Sequence, residues 1–322
     1  MIELPLIEAA RDRVADVALR TPLVRLPGFT RPEIYLKLEV LQPIGSFKIR
    51  GAANAIWSAS PEQRTHGLVT ASAGNMAQGV AFMARELGLP AKIVVPELAP
   101  VAKLAAIERL GGEIVPVPYD DWWQTIVDGR VEGEEGLFVH PVQDETVMAG
   151  NGTIGLEIVE QLPDPDAVVI PFGGGGLTVG VASAIRALRP ETKVFTAEPA
   201  TGAAFAAALA SGRPVEVDFQ PSFVDGSGSR RVLDTMWGRA SGLVDGAFAV
   251  PIEEVAAAVR LLAGRAHVIA EGAGALAVAA ALSGQAGDGR VVCIVSGGNI
   301  DFAKLAEILA ASPGNGPPGG LG

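Results

Sequence analysis

Three features of the sequence predict an α/β fold of two lobes with mostly parallel, twisted sheets. Short runs of β-branched and apolar residues alternate along the chain with Ala-rich stretches of helical length, the order that strand–helix–strand crossovers produce. The strand runs are continuously apolar, as strands covered on both faces are, with no need for polar alternation. Glycine-rich turns follow several of these runs and lead into helical stretches, at the strand ends where open α/β sheets place ligands.

Taken in order, Leu6, Ala10, Val14 and Val17 recur at helical spacing, and Thr21-Pro22 closes that segment before a strand at Ile34-Tyr35-Leu36. Further strands are predicted at Gly67–Thr70, Lys92–Val95, Glu113–Val115, Leu137–Val139, Ala167–Ile170, Lys193–Thr196 and Val291–Val295. The strand–helix set between about Thr65 and Pro141 is shorter and carries its own Gly/Pro punctuation. It is therefore expected to be a small mobile lobe, residues 63–146, inserted into a large lobe of residues 1–62 and 147–322. The Pro/Gly-rich tail from about residue 312 to 322 has no apolar pattern and is expected to be disordered.

Composition removes several classes of function. Lys and Arg total 25 against 36 Asp and Glu, a net charge of −11, which denies nucleic acid the basic footprint it needs. Hydrophobic residues at 49% and charged ones at 19% exclude bulk disorder. One cysteine, Cys293, permits no internal disulfide, and His66, His140 and His267 leave little for a zinc site. The N-terminus has no basic segment followed by an apolar stretch, so a cytoplasmic protein is expected. The apolar run Ala273–Leu282 is about half of what a membrane span requires, so no membrane partner is expected.

Four segments could carry chemistry. Gly173-Gly174-Gly175-Gly176 stands between the strand ending at Ile170 and the helical stretch Leu177–Leu188. Four glycines at a strand-to-helix turn let backbone amides converge on a phosphate at the positive helix end. A dinucleotide site is one reading of that turn, because Glu198 stands about twenty residues on, where a ribose-binding acid would be; Thr178 in the third glycine position counts against it. Lys48, in Gly45-Ser46-Phe47-Lys48, opens a helical stretch in apolar surroundings that would favour its neutral amine. A solvated surface lysine is the plainer account of that residue alone. Ser72-Ala73-Gly74-Asn75 follows a strand and reads either as free amides suited to a carboxylate or as an ordinary Ser/Asn helix cap. Ser296-Gly297-Gly298-Asn299 follows the last core strand. Trp122-Trp123 is unusual in a chain with 5% aromatics, and reads as a packing face or as a pocket wall.

Together with Ser46-Phe47-Lys48-Ile49-Arg50-Gly51-Ala52, these segments occur in the order and spacing of the pyridoxal-phosphate β-family. The chain resembles its threonine/serine dehydratase and serine racemase branch, with the tryptophan synthase β-like fold (fold type II). Thr21-Pro22-Leu23, Leu36-Lys37-Leu38-Glu39, Gly152-Thr153-Ile154, Val224-Asp225-Gly226 and Glu271-Gly272-Ala273-Gly274-Ala275 extend the resemblance over about residues 20–305.

The resemblance implies pyridoxal 5'-phosphate as cofactor and Lys48 as both its covalent anchor and the base at the substrate Cα. Gly173, Gly174, Gly175 and Gly176 would hold the phosphate, Asn75 the ring hydroxyl and Ser296 the ring nitrogen, with Phe47, Leu177 and Glu271 completing the cofactor site. The amides of Ser72, Ala73, Gly74, Asn75 and Met76 would hold the substrate carboxylate. A cytoplasmic homodimer acting on a small amino acid is implied, and no C-terminal regulatory domain is expected. Three departures bear on function. Ala73 replaces the serine that serves racemases as proton donor, favouring elimination over racemisation. Met76 stands where threonine dehydratases usually have histidine. Ala204 replaces the second carboxylate of the racemase cation site near Glu198, so no metal is expected. The expected activity is dehydration and deamination of threonine or serine to a 2-oxo acid and ammonia. The alternatives are a phenylserine-type dehydratase and an NAD-dependent dehydrogenase using the tetraglycine turn.

Overall fold

The structure, a computed structural model, describes residues 1–99 and 101–311; the expected disordered tail lies outside the described residues. Its strands are β1 (Leu23–Arg25), β2 (Glu33–Leu38), β3 (Leu68–Ala71), β4 (Ala91–Pro96), β5 (Glu113–Val117), β6 (Leu137–Phe138), β7 (Ala167–Pro171), β8 (Lys193–Pro199), β9 (Gly246–Val250) and β10 (Arg290–Val295). They form a six-stranded sheet in the order β1-β2-β10-β7-β8-β9 and a four-stranded sheet in the order β5-β4-β3-β6. Every pairing is parallel except β1 with β2. The sequence reading missed β1 and β9. Both are edge strands: β1 has only three residues and ends on the exposed Arg25, and β9, though apolar, mixes Gly and Ala with Phe248 and Val250 and so lacks the β-branched run that marks the central strands.

Alternation along β10 shows why the central strands are apolar throughout. Val291, Cys293 and Val295 pack into one core with the helices Ile252–Leu261 and Gly272–Leu282. Val292 and Ile294 point into another, with the helices Leu4–Val14, Glu145–Gln161 and Gly176–Leu188. The first helix stops at Val14, short of the predicted Val17, whose amide donates to the Val14 carbonyl in a closing turn.

Helices 145–161 and 176–188 approach so closely that glycines form the contact. A Cβ on Gly180 would overlap the Met148 carbonyl oxygen and stand 2.7 Å from the Gly152 amide nitrogen, and backbone cannot rotate aside as a side chain can. Gly180→Ala is expected to destabilise the protein by about 1–3 kcal/mol despite alanine's better helix propensity. Urea unfolding of the variant beside the native chain measures this; an unchanged midpoint would show that the helices can move apart freely.

A buried ionic cluster ties the helix Lys48–Ser58 to the rest of the large sheet. The Arg50 guanidinium donates to both Glu39 oxygens at 2.8 and 2.9 Å, to both Glu157 oxygens at 2.7 and 3.0 Å, to Thr153 Oγ1 and to the Leu19 carbonyl. Lys37 Nζ donates to Glu157 Oε2 at 2.5 Å and to the Thr21 carbonyl at 2.7 Å. Burial works against each charge here. The paired carboxylates nonetheless raise the Arg50 pKa, and Arg50 lowers that of Glu39. Arg50 thereby fixes the helix on which Lys48 is the first residue.

Candidate active site

Lys48 is positioned by a stitch between two loops. Ser46 bridges Gly297, the Phe47 amide donates to the Ser296 carbonyl at 3.0 Å, and the Gly298 amide donates to the Gly45 carbonyl at 2.9 Å. The lysine then projects into a cleft of about 560 Å³ between the two sheets, where Nζ donates to the Pro141 carbonyl at 3.1 Å. Burial disfavours the ammonium and lowers the pKa to about 8, against the opposing pull of the Glu271 carboxylate.

On the same cleft, β7 runs into the tetraglycine turn. Gly175 has φ +91° and caps the helix Gly176–Leu188 without a side-chain bond. A Cβ on Gly174 would stand 2.6 Å from Val142 Cγ2, and one on Gly173 would stand 2.9 Å from the Gly226 carbonyl, so side chains there would fill the turn. Among the described residues, no acceptor pairs with the amides of Gly174 to Thr178, and the buried Thr178 Oγ1 has no partner. These donors converge at the positive end of a helix, the arrangement that binds phosphate.

A second set of amides follows β3. Gly74, not Ser72 or Asn75, is the cap residue of the helix Asn75–Leu87, and it makes no side-chain bond to the helix. The ordinary Ser/Asn cap therefore gives way to a turn. The Ser72 amide donates to the Val94 carbonyl at 3.1 Å, extending the strand pairing, so it is not free for a carboxylate as the sequence suggested. Those of Ala73, Asn75 and Met76 have no acceptor among the described residues. Ser72 Oγ accepts from the Gly74 amide at 3.2 Å. Asn75 is held from both sides: Nδ2 donates to Glu271 Oε1 at 2.8 Å, and Asn299 Nδ2 donates to Asn75 Oδ1 at 2.7 Å. Asn299 also donates to the Ile44 carbonyl. Burial, reinforced by Asp225, pushes the Glu271 pKa up to about 7, against the hydrogen bond from Asn75.

All the residues named for cofactor or substrate line this cleft: Phe47 and Lys48, Ser72 to Met76, Gly173 to Leu177, Glu271 and Ser296. Met76 and Leu177 do so at the wall, with their side chains in apolar cores. Asn299 stood in a segment singled out from the sequence but without a role, and Lys103 and the Pro141 carbonyl were missed. Lys103 Nζ stands 2.7 Å from Asp225 Oδ2, a bridge between the two sides of the cleft. No local pattern marks these groups, since each matters only through a residue far away in the chain.

Glu198 lies apart from the cleft. Its carboxylate accepts from the Phe205 and Ala206 amides at 3.0 and 2.8 Å, capping the helix Ala204–Ser211, and burial pushes its pKa up to about 7. A carboxylate so engaged is not available to a ribose. Among the described residues, no group of three or more His, Cys, Asp or Glu could hold a metal ion. Cys293 is fully buried, with its thiol pKa raised, and donates to the Ala277 carbonyl. His140 Nδ1 accepts from the Val142 and Gln143 amides while Nε2 meets the Ile126 carbonyl, which fixes a neutral ring in a structural role.

The sequence pattern of the family described as pyridoxal-phosphate dependent enzyme matches residues 14–297. The chain belongs to that family. It is 43% identical to the L-threonine ammonia-lyase of Thermotoga maritima over an alignment of 316 residues that covers 96% of this chain and 78% of that protein. Among solved structures, maize serine racemase superposes with a TM-score of 0.86 at 31% identity, covering 95% of this chain and 96% of that one. The threonine deaminase of T.th. gives 0.81 at 34%, covering 93% and 99%. The tryptophan synthase β-like architecture and the pyridoxal phosphate cofactor stand, and the dinucleotide reading of the tetraglycine turn is overturned.

The cleft fits that cofactor. Unpaired amides and the Thr178 hydroxyl match a phosphate's acceptors, and a desolvated amine matches an aldehyde. Because burial favours the neutral amine, cofactor-free protein is expected to show reductive methylation of Lys48 with a midpoint near pH 8, below that of an ordinary lysine. Mass spectrometry of methylated peptides across pH 6–11 reads this; a Lys48 midpoint matching the surface lysines would contradict the desolvation argument.

Proposed function

We propose that the protein is a pyridoxal-phosphate-dependent ammonia-lyase converting a β-hydroxy-L-amino acid, threonine or serine, into a 2-oxo acid and ammonia. The observation that carries this reading is the convergence of a buried amine with the unpaired amides of the tetraglycine turn and those of Ala73, Asn75 and Met76 on one cleft. When bound, the cofactor supplies an electron sink that acidifies the substrate Cα–H.

This chain's residues supply the rest. Gly173 to Gly176 hold the phosphate and Lys48 anchors the aldehyde. Asn75, steadied by Glu271 and Asn299, meets the ring hydroxyl, with Phe47 and Leu177 walling the ring. Ser296 meets the ring nitrogen with a neutral hydroxyl, which does not fix a proton there. The free amides of Ala73, Asn75 and Met76, in the turn shaped by Ser72 and Gly74, hold the substrate carboxylate, and Lys48 Nζ takes the Cα proton. The β-hydroxyl departs as water, and the released enamine tautomerises and takes water back on hydrolysis. The balance is therefore one β-hydroxy amino acid to one 2-oxo acid and one ammonium.

Residues 63–146, which carry the four-stranded sheet, are taken as a small mobile lobe against a large lobe of 1–62 and 147–322, with Lys103 and Asp225 meeting across the mouth. A cytoplasmic homodimer belongs to the same reading, and sedimentation of the purified protein tests the dimer. Purified holoenzyme is expected to release ammonia and 2-oxo acid in equal amounts from L-threonine and L-serine. A protein that takes up pyridoxal phosphate yet leaves both substrates intact would refute the activity.

The methyl group of Ala73 can neither give nor take a proton, so L-serine is expected to yield pyruvate without accumulating D-serine. Ala73→Ser is expected to introduce measurable racemisation. Chiral chromatography of the reaction decides this, and D-serine formed by the native enzyme at a rate comparable to pyruvate would refute it.

A further inference from the structure

Beside the main cleft lies a second cavity of about 300 Å³. The two share walls at Ser72, Trp122, Val142, Gly174 and Gly226. Ser72 belongs to the turn assigned to the substrate carboxylate and Gly174 to the turn assigned to the cofactor phosphate, so the second cavity adjoins the substrate position on its carboxylate side. We propose that this second cavity receives the substrate's β-substituent, making the enzyme an ammonia-lyase for β-hydroxy-L-amino acids that carry an aryl or similarly bulky apolar group at Cβ. The inference rests on the elimination reading above and names its substrate class.

Size and lining both support it. An apolar cavity of about 150 Å³ suffices to bind benzene, whereas a methyl group is comparable to one water of about 30 Å³. Serine and threonine would thus leave nearly all of a 300 Å³ space unused. The walls particular to this cavity include Ile126, Val232 and Leu233. Trp122 lies between the two cavities, its ring 5.6 Å from that of Tyr119 and 6.4 Å from that of Trp123. Trp122 Nε1 is buried without a hydrogen-bond partner, and the indole ring offers this wall an aromatic surface suited to offset or edge-on contact with another ring. Two charged residues line it and both are paired, Arg231 with Asp234 Oδ1 at 2.8 Å and Asp225 with Lys103 Nζ at 2.7 Å, so a charged substituent finds no unpaired partner here.

The reaction balances as before: L-threo-phenylserine gives phenylpyruvate and ammonium. Holoenzyme assayed on L-threonine, L-serine and L-threo-phenylserine is expected to show kcat/KM at least ~10-fold higher for phenylserine, within the range hydrophobic pockets achieve. Ser229→Phe, which fills the second cavity without lining the main cleft, is expected to lower the phenylserine-to-threonine ratio at least ~10-fold by the same apolar term. A second measurement needs no variant: L-phenylalanine, which has no β-hydroxyl to lose, is expected to inhibit threonine turnover at least ~10-fold more tightly than L-2-aminobutyrate. Turnover of threonine and serine with no preference for phenylserine, or equal inhibition by the two analogues, would overturn the subsite and leave the elimination reading intact. Ammonia release from none of the three substrates would overturn the elimination reading itself.

Discussion

Lys48→Ala is expected to lower kcat/KM for ammonia release by about 10²–10⁴-fold or more, the loss typical of removing a positioned base. The same substitution removes the amine that anchors the cofactor, so the visible absorbance of the holoenzyme and its sensitivity to borohydride are expected to disappear together. The fold should survive. Lys48 makes one hydrogen bond, to the Pro141 carbonyl, and its desolvated amine adds nothing that packing needs. Alanine at the first position of the helix Lys48–Ser58 is at least as good a helix former. Unfolding in urea should therefore change by no more than ~0.5 kcal/mol, as for sites outside the core. A variant that keeps more than a tenth of native turnover would remove Lys48 from the reaction, and one that loses activity together with stability would show that its role is structural.

What the sequence made legible was local. β7, β8 and β10 are buried runs whose apolar character survives in any neighbourhood, and the tetraglycine and Ser72–Asn75 turns state their backbone geometry in their own residue types. Partnerships made across the chain could not be read this way. Asn75 finds Glu271 and Asn299 over separations of 196 and 224 residues, and no property of an asparagine announces such a pairing. Glu198 shows the opposite hazard. Its position at the end of a strand suits a ribose or a cation, yet the amides of Phe205 and Ala206 take its carboxylate, which only the path of the chain into the helix Ala204–Ser211 reveals. Trp122 remained divided between packing and pocket because it does both, touching the Ala71–Val94–Ile126 core and lining the cleft.

Arg50 is the largest such partnership, and its removal is expected to cost about 3–5 kcal/mol, the range for stripping one member from a buried ion pair. Arg50→Met preserves much of the side-chain volume but leaves Glu39, which is fully buried, with only Thr21 Oγ1 at 2.6 Å and Gln42 Nε2 at 3.1 Å. Glu157 keeps Lys37 and is less affected. The sign of the pH dependence separates this account from simple loss of packing. In the native chain burial opposes the Glu39 charge, but Arg50 overcomes it and holds the pKa below 4.5, so this stabilisation is present above the unfolded value and fades as pH falls through the folded one. Without Arg50, burial is unopposed and the Glu39 pKa rises above 4.5, so the variant loses stability as pH climbs past that value. The difference between the two proteins should therefore widen from pH 5 to pH 8. Arg50→Met/Glu39→Gln, which removes the stranded charge as well, should recover part of the loss at pH 8 and little at pH 5. Urea unfolding of the three proteins at both pH values tests this, and a stability gap that stays constant with pH would mean that Arg50 contributes packing rather than charge.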